Sequence, residues 1–412
     1  MIPSASLIMP KTRTMFSKGA RAVALRSLHL LRIGSLTIKE SYHDENMEQF
    51  GSSDTGQLHA FIEVKHPDFY ARLLKGGSIA AAEAYMDGWW DSPDLTAVME
   101  LMARNLSALD QLEAKSSVWT RTVNQLGHWL KRNTVGQAKE NIEAHYDLGN
   151  TLYQTFLDKN MLYSSALYHS AEESLEQAQI NKMDRLCQQL QLQPTDHVLE
   201  IGTGWGAMAI YMAQQYGCRV TTTTISEQQF AYTEALVKQL GLSDKITLLK
   251  KDYRQLSGQF DKLVSIEMIE AVGHAYLKSY IQQCNERLKP QGLMAIQAIT
   301  IVDQRYQYYR NNVDFIQKYI FPGGFLPSIT VLAETATRYS DLVIRDLFDL
   351  GLDYAQTLAD WRQRFEISLE QVRALGYDER FVRMWRYYLC YCEGGFNART
   401  ISAVHMTLQK SG

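Results

Sequence analysis

The sequence predicts an α/β protein, built on a parallel sheet covered on both faces and preceded by a smaller α/β domain. Three observations carry this. The stretch Val198–Ala207 reads V-L-E-I-G-T-G-W-G-A: three apolar residues of a buried strand (Val198, Leu199, Ile201) run into Gly202, Gly204 and Gly206, and a helix-compatible run, Ala207–Tyr216, follows. Beyond it strands and helices alternate regularly, the rhythm of a parallel sheet. Finally, 412 residues, 46% hydrophobic and 21% charged, are enough for two or three domains with a sizeable core.

Taken in order, residues 1–32 form a basic segment with Lys11, Arg13, Lys18, Arg21, Arg26 and Arg32. Its arginines interrupt the apolar core that a secretory signal needs. Two readings stand: a basic amphipathic helix lying on an anionic membrane, or a solvated, flexible tail. Residues 33–115 read as a small α/β domain with a lipid, membrane or dimerisation role. Leu36–Lys39 and Leu58–Val64 alternate as strands do. Pro67 opens a helix through Leu74, Gly76 and Gly77 break it, and Ile79–Met86 is a second helix ending at the cluster Tyr85, Trp89, Trp90. Asp94 is placed to cap a helix through Leu106. Residues 116–144 lack a strong apolar period and are expected to be a linker.

From 145 to 412 the chain is expected to be one catalytic domain. Leu175–Leu190 is an amphipathic helix leading into the central strand. Then come Arg219–Thr224 (strand), Glu227–Leu240 (helix, closed by Gly241), Ile246–Lys250 (strand), Phe260–Ile266 (strand), His274–Leu288 (helix, stopped by Pro290 and Gly292) and Leu293–Thr300 (strand). Ligands of such sheets lie beyond the carboxyl ends of the strands. The second strand ends in Thr224-Ile225-Ser226, without the acid that a dinucleotide's ribose requires, and G-T-G-W-G is shorter than G-x-G-x-x-G. Asp252 and Tyr253, after the third strand, suit an adenine amine and an adenine face. The set fits S-adenosylmethionine better than a nicotinamide cofactor, which disfavours a dehydrogenase.

A net charge of -3 argues against nucleic acid as a partner. No apolar stretch approaches the length needed to span a bilayer. Five cysteines, an odd number, suit a reducing compartment better than a disulfide framework. Cys390-Tyr391-Cys392 has no second pair beside it, so no metal site is expected.

Nine ordered motifs resemble the cyclopropane-fatty-acyl-phospholipid synthase family, which includes the mycolic acid cyclopropane synthases. They are H-Y-D-L-G-N (145–150), Y-S-S-A-L-Y (163–168), V-L-E-I-G-T-G-W-G (198–206), T-I-S-E-Q-Q (224–229), K-D-Y-R-Q-L (251–256), M-I-E-A-V-G (268–273), K-Y-I-F-P-G-G-F-L-P-S (318–328), D-Y-A-Q-T-L-A-D-W (353–361) and Y-Y-L-C-Y-C-E-G-G-F (387–396). Y-M-D-G-W-W (85–90) looks like the family's bacterial phospholipid branch. The resemblance implies a Rossmann-like class I S-adenosylmethionine methyltransferase sheet. It implies that Tyr163, Ser164, Glu200, Gly202, Thr203, Gly204, Gly206, Thr224, Ser226, Gln229, Asp252 and Tyr253 hold the cofactor. It implies a catalytic group in which Ser165, Glu270, Gln297 and Tyr354 surround a bicarbonate ion and Cys392 is the family's C-terminal active-site thiol. Two of these positions depart from the family: Ser165 stands for its cysteine and Gln297 for its histidine, and Gln297 cannot shuttle a proton.

The activity so implied is transfer of a methylene from S-adenosylmethionine to the double bond of an unsaturated acyl chain in a membrane phospholipid. An alkene is a poor nucleophile, so the methyl must be held in line with it, away from water. Transfer leaves a carbocation; an anion stabilises it and a base removes a proton to close the ring. Glu270 is the expected carboxylate, with Tyr354 donating to it. If the base is weakened, a methyl- or methylene-branched chain is the alternative product. An accessory lipid-binding protein that keeps the fold is the alternative of another class. The expected setting is cytoplasmic, peripheral to the inner face of the membrane, and the resemblance suggests a homodimer.

Overall fold

In the strand β5 (His197–Ile201) successive side chains face opposite sides of the sheet. Val198 joins Val220, Val264 and Ala295 in one core, under Met183, Leu186 and Cys187 of the helix Leu175–Gln189. Leu199 and Ile201 join Leu263 and Ile296 in the other, under Tyr280, Ile281 and Cys284 of the helix Leu277–Arg287. Each such Val, Leu or Ile contributes about 1.5–3 kcal/mol when fully buried. Two apolar faces on one strand are what fix it at the centre of a doubly covered sheet.

This arrangement comes from a computed structural model, which describes residues 15–42, 46–52, 58–106 and 149–412. The chain divides into two compact units, residues 1–122 and 123–412. In the second, seven strands run in the order β10-β11-β9-β8-β5-β6-β7. They are β5, β6 (Arg219–Thr224), β7 (Ile246–Lys250), β8 (Phe260–Ile266), β9 (Leu288–Ile301), β10 (Leu342–Asp349) and β11 (Ile401–Lys410). β5 to β9 pair in parallel, and β10 and β11 extend the β9 edge antiparallel. The strand order reverses between β5 and β8, so their carboxyl ends open the crevice where ligands bind.

The predicted strands and helices between 175 and 300 are present, with three local differences. β9 starts at Leu288 rather than Leu293. A register shift between Phe260↔Leu288 and Lys262↔Leu293 absorbs Pro290, which cannot donate to a ladder. The run Ala207–Tyr216 is an α-helix to Tyr211 and a π-turn from Met212, closed by Gly217 at φ 71°. The helix expected from His274 begins as a 3-10 turn and is α-helical only from Leu277.

The first unit holds the sheet β2-β1-β3-β4, from Asn46–Gly51, Ser35–Glu40, His59–Val64 and Trp90–Asp91. Asn46–Gly51 was not expected as a strand, because only Phe50 along it is buried. The helix Phe69–Met86 breaks at Gly77 (φ 60°, ψ -144°), as the paired glycines predict. Asp94 caps the next helix by accepting from the Ala97 N–H at 3.0 Å. Tyr85 and Trp90 are core, and Trp90 donates its indole N–H to Ala81 O at 2.8 Å.

Of residues 1–32, Met15–Leu28 is a helix, not a flexible tail. It buries Ala20, Ala24, Leu25 and Leu28. Arg21 donates to Glu40 at 2.7 Å and also to Glu48. The apolar face expected to lie on a membrane is thus spent inside the unit. Val23, Leu30 and Ile33 stay exposed, as do Arg26 and Arg32. The linker 116–144 and His145–Leu148 lie outside the described residues.

Candidate active site

The turn after β5 needs backbone conformations that L side chains resist. Gly202, Gly204 and Gly206 sit at φ 101°, 53° and 90°. A Cβ on Gly204 would meet nothing within 4 Å, so the loop borders open space. One on Gly206 would stand 2.6 Å from Thr233 Cγ2, so this glycine serves close packing of loop on helix. Trp205 ties the loop to the first shared motif by donating to Asn150 Oδ1 at 2.9 Å. Thr203 and Thr222 share a hydroxyl contact at 2.7 Å, and Thr222 donates to the buried Glu200 at 2.5 Å. Burial pushes the Glu200 carboxyl up to about 8. Thr224 donates to Gln229 Oε1 at 2.9 Å, and Ser226 caps the helix Glu227–Gln239. This cradle of bare backbone and oriented hydroxyls suits S-adenosylmethionine.

Other residues expected around the cofactor are more engaged with the protein itself. The Asp252 carboxylate already accepts from the Arg254 backbone N–H at 2.9 Å and from its guanidinium at 2.8 and 2.7 Å, so a purine amine would have to share it. Tyr253 meets Tyr280 edge-on at 5.4 Å. The hydroxyls of Tyr163 and Tyr388 are 2.8 Å apart. Ser164 Oγ accepts from Lys182 Nζ at 2.6 Å.

At the carboxyl end of β8 the structure corrects the expected arrangement. Tyr354 does not donate to Glu270: its hydroxyl donates to Glu267 Oε2 at 2.7 Å. Glu267 Oε1 accepts from the Ser165 backbone N–H at 2.9 Å and from Gln297 Nε2 at 2.7 Å. Ser165 therefore contributes its backbone, while its hydroxyl donates to Ala166 O at 2.9 Å. Glu270 accepts from the Ile299 N–H at 2.5 Å, and its Oε2 is buried without a hydrogen-bond partner. Burial, then the charge of Glu267, pushes the Glu270 carboxyl up to about 8. Burial raises Glu267 as well, against the pull of its donors and of Lys182. With three donors against one, Glu267 is the member of the pair that carries the charge and Glu270 the one that keeps the proton.

Three residues of this site were not singled out from sequence. Glu267 stands three positions before Glu270. Lys182 is fully buried on the inner stripe of its helix with Gln179 and Leu186, a polar break in the apolar period that is the one signal sequence offered. Burial pushes it down to about 8, against the attraction of Glu267 and Asp158. His405 lies opposite Gln297 in the β9–β11 register, and its Nε2 is 2.8 Å from Gln297 Oε1. Burial, then Arg185 and Lys182, hold it neutral. Cys392 lies on the helix Glu379–Asn397. Burial, then Asp314, pushes its thiol well above the usual range, which suits a packed thiol and not a thiolate nucleophile.

The bicarbonate expectation can be tested against this geometry. Its ligands were to come from Ser165, Glu270, Gln297 and Tyr354. Three of these already donate to Glu267, and the fourth would present a second carboxyl. A bicarbonate ion does not fit beside them.

Comparison with known proteins places these features. Residues 133–406 match the family model described as mycolic acid cyclopropane synthetase. The chain is 37% identical over 372 residues to the tuberculostearic acid methyltransferase UfaA1 of Mycobacterium tuberculosis, covering 88% of this chain and 86% of that protein. It is 36% identical over 371 residues to the cyclopropane-fatty-acyl-phospholipid synthase of Escherichia coli, covering 87% and 90%. Among solved structures, mycolic acid cyclopropane synthase CmaA1 complexed with SAH and CTAB superposes with a TM-score of 0.62 at 29% identity, covering 66% of this chain and 98% of that one.

Proposed function

Because the chain belongs to the mycolic acid cyclopropane synthetase family, and so is an S-adenosylmethionine-dependent methyltransferase, we propose that it acts on the double bond of unsaturated acyl chains in membrane phospholipids. The leading product is a cyclopropane ring. The observation that carries this reading is the Glu267–Tyr354–Gln297 cluster beside the glycine loop. It sets a carboxylate near the glycine loop, where a Cβ on Gly202 would meet Met268, the neighbour of Glu267, and a carboxylate there can stabilise the carbocation that methylation of an alkene leaves. The names of the two relatives, one a tuberculostearic acid methyltransferase and one a cyclopropane-fatty-acyl-phospholipid synthase, support an acyl substrate.

S-adenosylmethionine, when bound, supplies the carbon: the alkene pair forms the new bond as the carbon–sulfur pair stays on sulfur. Gly202, Thr203 and Gly204 hold it at the β5 end, with Thr224 and Gln229 at the end of β6. The aromatic side chains of Tyr153, Phe156, Tyr163 and Trp361 pack together within ring distances of 5.2–6.2 Å and keep the neighbourhood dry. In such surroundings one well-aimed polar contact changes the barrier by roughly 3 kcal/mol. The carbocation left on the acyl chain is stabilised by carboxylate charge, and loss of a proton from the new methyl closes the ring.

A branched product is the second reading, and a specific observation favours it. A carboxylate clamped by one backbone and two side-chain donors is fixed in place. If it does not reach the new methyl, the cation loses a proton from the chain instead. Membrane association is the expected setting, supported by the exposure of Val23, Leu30 and Ile33 and of Arg26 and Arg32 in the same segment of the chain. Among the described residues no helix is long and apolar enough to cross a membrane.

The test is incubation with S-adenosylmethionine and vesicles of unsaturated phospholipid, followed by mass analysis of released fatty acids before and after mild hydrogenation. A product heavier by one CH2 that resists hydrogenation supports the ring. One that takes up hydrogen supports the second reading. No change in mass contradicts both and returns the chain to a lipid-binding role.

A further inference from the structure

We propose that Glu267 is the resident anion of this active site: its carboxylate takes the place of a bicarbonate ion, faces the cation formed on the acyl chain and accepts the proton that leaves. The inference deepens the methyl-transfer reading and rests on it.

The first argument is convergence. The Ser165 N–H, the Gln297 amide and the Tyr354 hydroxyl all donate to this one carboxylate, at 2.9, 2.7 and 2.7 Å. They come from three separate parts of the chain, 102, 30 and 87 residues from Glu267. Three donors on one site leave only the buried Glu270 carboxyl, among the expected ligands, for a second anion, which would also stand against a like charge.

The second argument is the backbone. Glu267 lies at φ 47°, in the left-handed region. Its N–H donates to Gln297 O at 2.8 Å, which pins the turn against β9. For a residue with a Cβ this conformation costs on the order of 1 kcal/mol, and glycine would avoid the cost. A glutamate in a glycine's place is accounted for if the carboxylate is what the position is for.

The third argument lies behind the carboxylate. Glu267 can only accept from Gln297, so the Gln297 NH2 must face it and the Gln297 oxygen must face the other way. That oxygen meets His405 Nε2 at 2.8 Å, so Nε2 carries the proton and His405 donates. His405 thereby fixes the amide in its donating orientation and acts as a positioning residue. Lys182, buried within reach of the Glu267 charge, supplies the balancing positive charge. Glu267 itself is partly exposed while Ser165, Gln297 and His405 are buried, so the carboxylate forms the outer layer of the cluster.

The chemistry balances without a further reactant. The methyl C–H pair becomes the third carbon–carbon bond of the ring, or a C–H pair of the chain becomes a double bond. In either case the proton goes to a Glu267 oxygen and then to solvent.

The experiment compares the wild type with Glu267→Gln and Glu267→Gly in carbonate-free buffer, with and without added bicarbonate. The wild type is expected to run at full rate in both. Glu267→Gln keeps the shape without the charge and is expected to lose roughly 100-fold or more. Glu267→Gly opens the anion position in a backbone that glycine tolerates. It is expected to be as slow as Glu267→Gln without bicarbonate and roughly tenfold or more faster with it, by the same stabilisation. Binding gives a second readout: carbon-13 bicarbonate should broaden in NMR with Glu267→Gly and not with the wild type. Calorimetric binding of S-adenosylhomocysteine, unchanged in all three, checks the fold. A wild type that requires bicarbonate, a Glu267→Gln variant at the wild-type rate, or bicarbonate binding to the wild type would each overturn the proposal. A wild type inactive on unsaturated lipid would sink the methyl-transfer reading, and the binding comparison would still decide whether Glu267 fills the anion position.

Discussion

Two turns at the carboxyl end of the same sheet solve the same backbone problem in opposite ways. After β5 the chain passes through φ 101°, 53° and 90°, and each position is a glycine. After β8 it passes through φ 47°, and the position is Glu267. At the first turn a Cβ on Gly206 would collide with the neighbouring helix, while Gly204 leaves bare backbone facing open space. At the second a side chain is what the site needs, and local strain is tolerated to aim it. The absence of a Cβ marks one functional turn and its presence marks the other.

Among single substitutions, adding a side chain to the first turn should have the largest effect on stability. Gly206→Ala puts a Cβ 2.6 Å from Thr233 Cγ2 at a φ of 90°. Strain and overpacking together should cost about 3 kcal/mol, read as a lower midpoint in urea unfolding. At the second turn, Tyr354→Phe removes one of the three donors to Glu267. A hydrogen bond to a charged group contributes about 2 kcal/mol, so kcat should fall roughly 30-fold. The KM for S-adenosylmethionine should stay unchanged; a rise in that KM with kcat intact would place Tyr354 on the cofactor instead.

The pH dependence of stability sharpens the contrast within the carboxyl pair. The Glu270 carboxyl moves from 4.5 to about 8, so the folded chain holds a proton that the unfolded chain releases. Its contribution is present in full below 4.5 and is lost as pH rises toward about 8. The slope is about 1.4 kcal/mol per pH unit. Urea midpoints measured across that window should fall for the wild type and flatten for Glu270→Gln; equal slopes would mean Glu270 is ionised throughout. The smallest effect is expected at Ser165. Since its backbone and not its hydroxyl holds Glu267, Ser165→Ala should cost about 1 kcal/mol of stability at most and leave the rate within about threefold. A collapse in rate would show that the hydroxyl reaches the reacting groups.

The glycine turn was legible in the sequence because glycine announces backbone freedom. The Glu267 turn was not, because nothing in S-I-E-M-I-E-A tells that the first glutamate takes a left-handed conformation. Motif matching led to Glu270, but the hydrogen bond from Tyr354 belongs to Glu267. The strands from β5 to β9 were legible through apolar runs bounded by helices. β10 and β11 were not, since β10 is exposed along most of its length and its pattern depends on the edge it covers. His405 became visible only with the β9–β11 register, which sets it opposite Gln297. The basic helix Met15–Leu28 was legible as amphipathic, but its sequence could not say that the unit's own core takes the apolar face. Local pattern reveals which faces are apolar, and only tertiary pairing reveals what meets them.

The most direct measurement of the central claim is transfer of a labelled methyl carbon from S-adenosylmethionine into unsaturated phospholipid by the wild-type protein in carbonate-free buffer. Label in the acyl chain at the full rate, unchanged when bicarbonate is added, is the result expected of an enzyme that carries its anion as Glu267. Label that enters only when bicarbonate is supplied would contradict it.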